Sequence, residues 1–232
     1  MADKGDNKMS EGCSDEEYPE RRKKKAKISF DPRFLRKIII ALGNPGNEYE
    51  NTRHNIGFAV LDAFGEKCKV LGKEEKKLLS WYGKEKIEIN KETYEIILAW
   101  PTTFMNNSGD AVIKLLSWFK IKASDLIVVH DDVALNLGKI RINFNSGAGG
   151  HHGVESIIQM LGGEQEFTRL RIGIGPDPGG DVRADYVLKK FSKEEETLVK
   201  KVTELSISAL ETIITKDVGE AMNKFNGVEI AS

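Results

Sequence analysis

The sequence predicts an α/β domain of three layers, with helices on both faces of a twisted mixed, mostly parallel sheet. Two patterns carry that expectation. Apolar, strand-like runs alternate along the chain with segments whose apolar residues recur at helical spacing. Polar or Gly-rich clusters follow several of the strand-like runs, where sites in such sheets form. Composition agrees: 232 residues, 40% hydrophobic and 31% charged, suffice for one domain core.

Residues 1–35 read as a disordered, charged N-terminal extension, and 36–232 as the α/β domain. In the extension Asp15, Glu16, Glu17 and Glu20 precede the basic run Arg21–Lys25, and apolar residues are scarce. It has no apolar stretch of the kind a secretory signal needs, and no run in the chain approaches a membrane span. The expected location is cytoplasmic, with an organelle as the other option. Cys13 and Cys68 are the only cysteines, in no CxxC spacing, which argues against a disulfide framework or a zinc ribbon. A net charge of −1 does not announce a polyanion partner, so any such site must be a local patch.

Lys37–Leu42, with the continuous apolar run Ile38–Leu42, is expected as a strand buried on both faces. Asn55 is expected to cap a helix through about Phe64, with Ile56, Ala59, Val60 and Ala63 on one face. Trp81–Ile89 and Tyr94–Trp100 read as a strand pair turning at Asn90-Lys91-Glu92. Ser108 is expected to cap a helix over Ala111–Phe119. Leu126–Val129 is a buried strand, and Lys139–Phe144 a half-exposed one by its alternation. The loop Gly147–Gly153 leads into a helix bearing Val154, Ile157, Ile158 and Leu161, and Leu170–Ile174 is a further strand. From Lys193 onward the pattern is one or two amphipathic helices.

Four clusters carry candidate chemistry. Gly43–Asn55 makes a tight turn off the first strand and offers the Asn44 amide, the Tyr49 ring, Thr52 and the His54 imidazole. Pro101–Gly109 offers Asn106, whose uncharged amide can bind a carbonyl or a developing oxyanion. His130-Asp131-Asp132 follows a strand, and a carboxylate there can hold a histidine tautomer. With His151 and His152 it could instead hold a metal, although the spacing matches no zinc pattern. Ser146–Gly153 is a Gly-rich loop before a helix, an anion-friendly nest or a plain connection. Gly173-Ile174-Gly175-Pro176 lacks the spacing of a dinucleotide fingerprint. A loop, a cap or a solvated face would account for each cluster taken singly.

In order, the segments GNPGNEYENTRHNIGF, PTTFMNNSG, VVHDD, LGKIR, GAGGHHG and FTRLRIGIG, with the later DYVLKKF, closely resemble peptidyl-tRNA hydrolase of the bacterial type. The resemblance runs from about Lys37 to Phe191. It implies a single α/β domain, no cofactor and no metal, and a monomer with no obligate protein partner. The implied reaction is hydrolysis of the ester between a peptidyl group and the tRNA 3′ end. The implied partner is peptidyl-tRNA, gripped at its acceptor end and near its 5′ phosphate. His54 matches the general base, Asp131 the carboxylate that orients it, and Asn106 the amide that positions the ester or stabilises its oxyanion. Asn44 matches the residue that distinguishes blocked from free aminoacyl groups. Tyr49 and Phe104 match substrate contacts lining the cleft, and Arg171 a phosphate-gripping position.

The chain also departs from the family's pattern. His152 stands where the family has a substrate-contacting asparagine; a cation there could help bind the tRNA end, or depress the basicity of His54 if close. Asn143 and Asn145 replace basic side chains, leaving Lys139, Arg141, Arg169 and Arg171. The losses predict weaker, strongly salt-dependent tRNA binding. A non-catalytic RNA-binding relative, such as an organellar RNA-processing factor, is the competing expectation. A nucleotide- or metal-dependent α/β enzyme is a third.

Overall fold

Apolar runs along the chain stack side by side into one seven-stranded sheet, of order β2-β3-β4-β1-β5-β7-β6. The computed structural model describes residues 36–180 and 182–230. The expected extension over 1–35 lies outside them. The strands are β1 (Arg36–Ala41), β2 (Lys73–Glu75), β3 (Ser80–Ile89), β4 (Glu92–Pro101), β5 (Leu126–Asn136), β6 (Ile140–Phe144) and β7 (Thr168–Gly175). Central strands β4, β1, β5 and β7 are parallel, and β2, β3 and β6 run antiparallel to their neighbours. The expected mixed three-layer architecture is what forms.

Helices α1 (Ile56–Cys68), α5 (Lys193–Thr215) and α6 (Val218–Phe225) cover one face. There Ile39, Val129, Leu170 and Ile172 pack against Val60, Phe64 and Leu210, all buried. Helices α2 (Ser108–Phe119) and α3 (His152–Met160) cover the other, over Ile38, Ile40 and Val128. The short α4 (Val182–Val187) was not anticipated by periodicity. Burial of two apolar faces explains why β1 is apolar without a break from Ile38 on. No described helix is long and apolar enough to cross a membrane.

Three local expectations are corrected. Asn55 occupies the N-cap of α1 but makes no side-chain cap there. Its amide instead accepts from Asn44 N at 2.8 Å and donates to Asn44 O at 2.9 Å, pinning the β1 turn. Ser108 is the first residue of α2 rather than its cap, and its hydroxyl donates to Met105 O at 2.8 Å. β5 does not end at Val129 but runs on to Asn136, with an irregular register between Asp132 and Asn136. The glycines of β7 permit that bend. A Cβ at Gly173 would lie 2.0 Å from Asn136 O, and one at Gly175 2.6 Å from Val133 O. The Gly-Ile-Gly of this strand is therefore a packing requirement and not a nucleotide-binding fingerprint.

Candidate active site

A cleft of about 820 Å³ opens where β1, β5 and the Gly-rich loop meet. Asn44, His54, Phe104, Asn106, Asp131, His152 and Arg171 all line it, so residues spread over 128 positions of sequence converge on one cavity. Tyr49, expected in the cleft wall, is not among the lining residues. It sits behind Phe104, ring edge to ring face, with centroids 6.3 Å apart.

His54 reaches the cleft from a single 3-10 turn, Arg53–Asn55, that leads into α1. Close approach at Gly57 sets the height of that turn. A Cβ there would stand 2.7 Å from the carbonyl oxygens of both Leu42 and Val129. Arg53 fixes the other side. Its Nη1 donates to Lys190 O at 2.9 Å, its Nη2 to both Glu195 carboxylate oxygens at 2.8 Å, and its backbone N–H to Lys189 O at 2.9 Å. The guanidinium lies 4.7 Å from the ring centroids of Tyr186 and Phe191. The DYVLKKF segment thus staples the His54 turn to the body of the domain.

Asp131, 2% exposed, points from inside β5. One of its oxygens, Oδ1, meets two imidazoles: His54 Nδ1 at 2.7 Å and His151 Nε2 at 3.0 Å. Burial opposes the Asp131 charge, but His54 and His151 outweigh it and hold the carboxyl well below the usual carboxylate range. An ionised Asp131 accepts only, so Nδ1 of His54 carries the proton of that contact. Nε2 of His54 is left with a lone pair. Burial disfavours the His54 cation, yet the charge and hydrogen bond of Asp131 raise its pKa overall. The histidine beside His54 is His151, ring centroids 5.1 Å apart.

His151 is the neighbour that sequence reasoning undervalued. It occupies the N-cap of α3, where its Nδ1 accepts from Val154 N at 3.3 Å. An accepting Nδ1 leaves the Nε2 proton for Asp131, so the helix start selects the tautomer. Consecutive left-handed glycines, Gly149 (φ 59°) and Gly150 (φ 80°), bring the loop round to this position. His130 is buried, and its Nδ1 donates to the Asp131 carbonyl at 2.7 Å. Burial first, then His151, holds its pKa well below the ordinary imidazole value.

The amides divide. Asn44 Oδ1 accepts from Met105 N at 2.9 Å, which turns its Nδ2 donors away from that contact. Asn106, in the 3-10 turn Met105–Asn107, is exposed to the cleft. His152 stands at the rim with its side chain 73% exposed, its Nδ1 3.6 Å from Glu155 Oε2. The perturbation of His54 comes from burial and Asp131, so the expected influence of a His152 cation is not borne out.

Among the basic residues, Arg169 is corrected most. It is 1% exposed, donates to Gln165 O and Phe167 O at 3.1 and 2.7 Å, and lies 3.7 Å from the Phe167 ring centroid. Burial and then Arg171 lower its pKa to about 10. It is an internal strut rather than a phosphate ligand. Lys139 pairs with Glu229 at 3.1 Å. Arg171 lines the cleft, its Nη2 in ion-pair contact with Asp132 Oδ2 at 2.5 Å and its Nη1 donating to Asn143 Oδ1 at 3.2 Å. Among the described residues, the group of acids and imidazoles close enough for a metal is His54, Asp131 and His151, with ligand atoms within 4.8 Å. Those atoms are engaged with one another by hydrogen bonds, and the set is not the 130–132 and 151–152 group considered from sequence.

Comparison with known proteins places the chain in a family. A family model described as peptidyl-tRNA hydrolase matches residues 38–232. The chain is 43% identical over 190 residues to the peptidyl-tRNA hydrolase of a Clostridium botulinum strain, covering 82% of this chain and 95% of that one. It is 42% identical over 194 residues to that of Pseudothermotoga lettingae, covering 84% and 98%. The crystal structure of peptidyl-tRNA hydrolase from Acinetobacter baumannii aligns with a TM-score of 0.77 at 31% identity, over 84% of this chain and 96% of that one. With a family model spanning the whole domain and relatives aligned over nearly their full length, this chain belongs to the peptidyl-tRNA hydrolase family.

Proposed function

We propose that this chain hydrolyses the ester linking a peptidyl or N-blocked aminoacyl group to the 3′ end of tRNA, with His54 as general base. The observation that carries the reading is the His54 Nδ1–Asp131 Oδ1 contact of 2.7 Å at the wall of the cleft. Asp131 keeps the Nδ1 proton in place, so Nε2 of His54 takes a proton from water as the water oxygen adds to the ester carbonyl. The carbonyl oxygen becomes an oxyanion, which the amide N–H groups of Asn106 and Asn44 stabilise as neutral donors. Collapse breaks the carbonyl–ribose bond, and the proton on His54 Nε2 goes to the departing ribose oxygen. A general base contributes about 10²–10⁴-fold. One oxyanion donor contributes about 10²–10³-fold.

Phe104 and His152 supply walls for the acyl and 3′-terminal groups, and Arg171 a donor for a tRNA phosphate. Tyr49 supports Phe104 from behind. We read the protein as a monomer acting without a protein partner, in the cytoplasm or an organelle, with residues 1–35 outside the catalytic domain. A purely RNA-binding role has no use for a buried carboxylate shared between two imidazoles, which favours the catalytic reading. The test is release of free tRNA from N-acetyl-aminoacyl-tRNA by purified protein. Tight RNA binding without turnover would favour the RNA-binding reading instead.

A further inference from the structure

Among the described residues, Arg171 and Arg183 are the two arginines that line the cleft, one from β7 and one from α4. They are held differently. Arg171 already pairs with Asp132 and Asn143 in its own wall, so the phosphate contact proposed for it above would be shared with them. Arg183 is anchored along one edge only: its Nε donates to Asp177 Oδ1 at 3.0 Å and its Nη2 to Asp177 Oδ2 at 2.6 Å. Asp177 is itself fixed, because Oδ1 also accepts from Gly179 N at 2.9 Å. A guanidinium presents five N–H donors in a rigid planar fork. The Asp177 pair uses one edge and leaves the Nη1 donors without a partner among the described residues, on a side chain that is 50% exposed. The result is an oriented pair of donors set in the cleft before any substrate arrives.

The position of α4 relative to His54 is also fixed. Tyr186, three residues along α4 from Arg183, donates its hydroxyl to Ile174 O at 2.6 Å. The same ring lies 4.7 Å from the guanidinium of Arg53, the residue preceding His54. Arg183 and His54 are therefore tied to one framework, and a substrate bound to both is held in a set register.

We propose that Arg183 is a specificity-determining residue that donates through Nη1 to a phosphodiester of the 3′ strand of the tRNA leaving group. The proposal rests on the ester-hydrolase reading above and extends it. Through this contact the cleft recognises the phosphorylated strand as well as the acyl group. With one edge of the fork held by Asp177, the planar guanidinium keeps Nη1 in a fixed direction, which a flexible lysine ammonium would not.

Two substrates separate the roles. N-acetyl-aminoacyl-tRNA carries the ester and the phosphodiesters, whereas 3′-O-(N-acetyl-aminoacyl)adenosine carries the same ester and no phosphate. For Arg183→Gln, the expected result is a KM for the tRNA substrate raised about tenfold with kcat unchanged, the loss of one charge-assisted hydrogen bond. kcat/KM for the adenosine ester stays at the wild-type value, and Arg183→Lys falls between on the tRNA substrate. An unchanged KM for the tRNA substrate overturns the proposal. Equal losses on both substrates also overturn it, because Arg183 would then act on the fold or the reacting centre. A wild type that turns over neither substrate fails the ester-hydrolase reading first, and the proposal with it.

Discussion

Asp131 Oδ1 lies 2.7 Å from Nδ1 of His54, a contact that joins a buried strand to a 3-10 turn 77 positions earlier. The same oxygen receives His151 Nε2 at 3.0 Å. One carboxylate oxygen thus serves two imidazoles, and the basicity of His54 depends on how the charge is shared.

That sharing gives opposite signs for two substitutions. On the proposed reading the base is the neutral form of His54, so kcat/KM rises with pH through the His54 pKa, which lies above the ordinary imidazole value of about 6.5. Asp131→Asn removes the charge that raises it, so the acid limb moves to lower pH and the rate falls about 10²-fold or more. His151→Ala leaves the Asp131 charge undivided, so the acid limb moves to higher pH. The pH profile of kcat/KM for the three proteins checks both, and shifts of equal sign would contradict the shared-oxygen account.

Asp131 also makes stability depend on acid. Its folded pKa is depressed, so its contribution is present above the unfolded carboxylate value of about 3.9 and is lost as pH falls below it. Denaturant melts of wild type and Asp131→Asn between neutral pH and pH ~3 should converge toward the acid end. A constant difference would exclude the mechanism.

Gly57 is expected to control the height of α1. Alanine there places a Cβ 2.7 Å from two backbone oxygens, which cannot yield as a side chain could. The helix must shift and carry His54 with it. A displacement approaching 1 Å costs roughly 10²-fold, so Gly57→Ala should lose ten- to hundredfold in kcat while remaining folded. Wild-type kcat in a folded variant would remove Gly57 from the account.

Arg53 is expected to be a stability residue that also affects the rate. Arg53→Ala breaks hydrogen bonds to Glu195 and Lys190 O and uncovers Tyr186. Because the Glu195 side chain is partly exposed, at 28%, a cost of about 2 kcal/mol is expected rather than that of a fully buried pair. Urea denaturation measures it.

His152→Asn should change kcat/KM for the tRNA substrate by no more than about fivefold, since a contact of a side chain 73% exposed is worth about 1 kcal/mol or less. A tenfold loss would mean that His152 holds substrate more firmly than its exposure implies.

The sheet was legible because β1 from Ile38 on and β5 over Leu126–Val129 are buried on both faces and therefore uniformly apolar where they cross the core. The β3–β4 hairpin was legible because Asn90 and Lys91, at φ 53° and 68°, adopt the left-handed turn their position demands. Helix α4 was not, because six residues are too short for a period and none of its residues is buried. Caps misled at Asn55 and Ser108, where the side chains satisfy other backbone groups. In the site, His54, Asp131, Asn44 and Asn106 were found through long ordered motifs, and the cleft brings all of them together. His151 was undervalued because its link to Asp131 depends on the loop path through Gly149 and Gly150, which no local pattern encodes. Arg169 looked like a surface cation because strand alternation cannot tell an exposed face from one covered by a helix.

The central claim is that His54, held by Asp131, is the base of an ester hydrolase. Single-turnover hydrolysis of N-acetyl-aminoacyl-tRNA by wild type and His54→Ala tests it most directly. The account predicts rapid tRNA release by wild type and a rate at least about 10²-fold lower for the variant, with substrate binding retained. Equal rates for the two proteins, or no turnover by wild type, would contradict it.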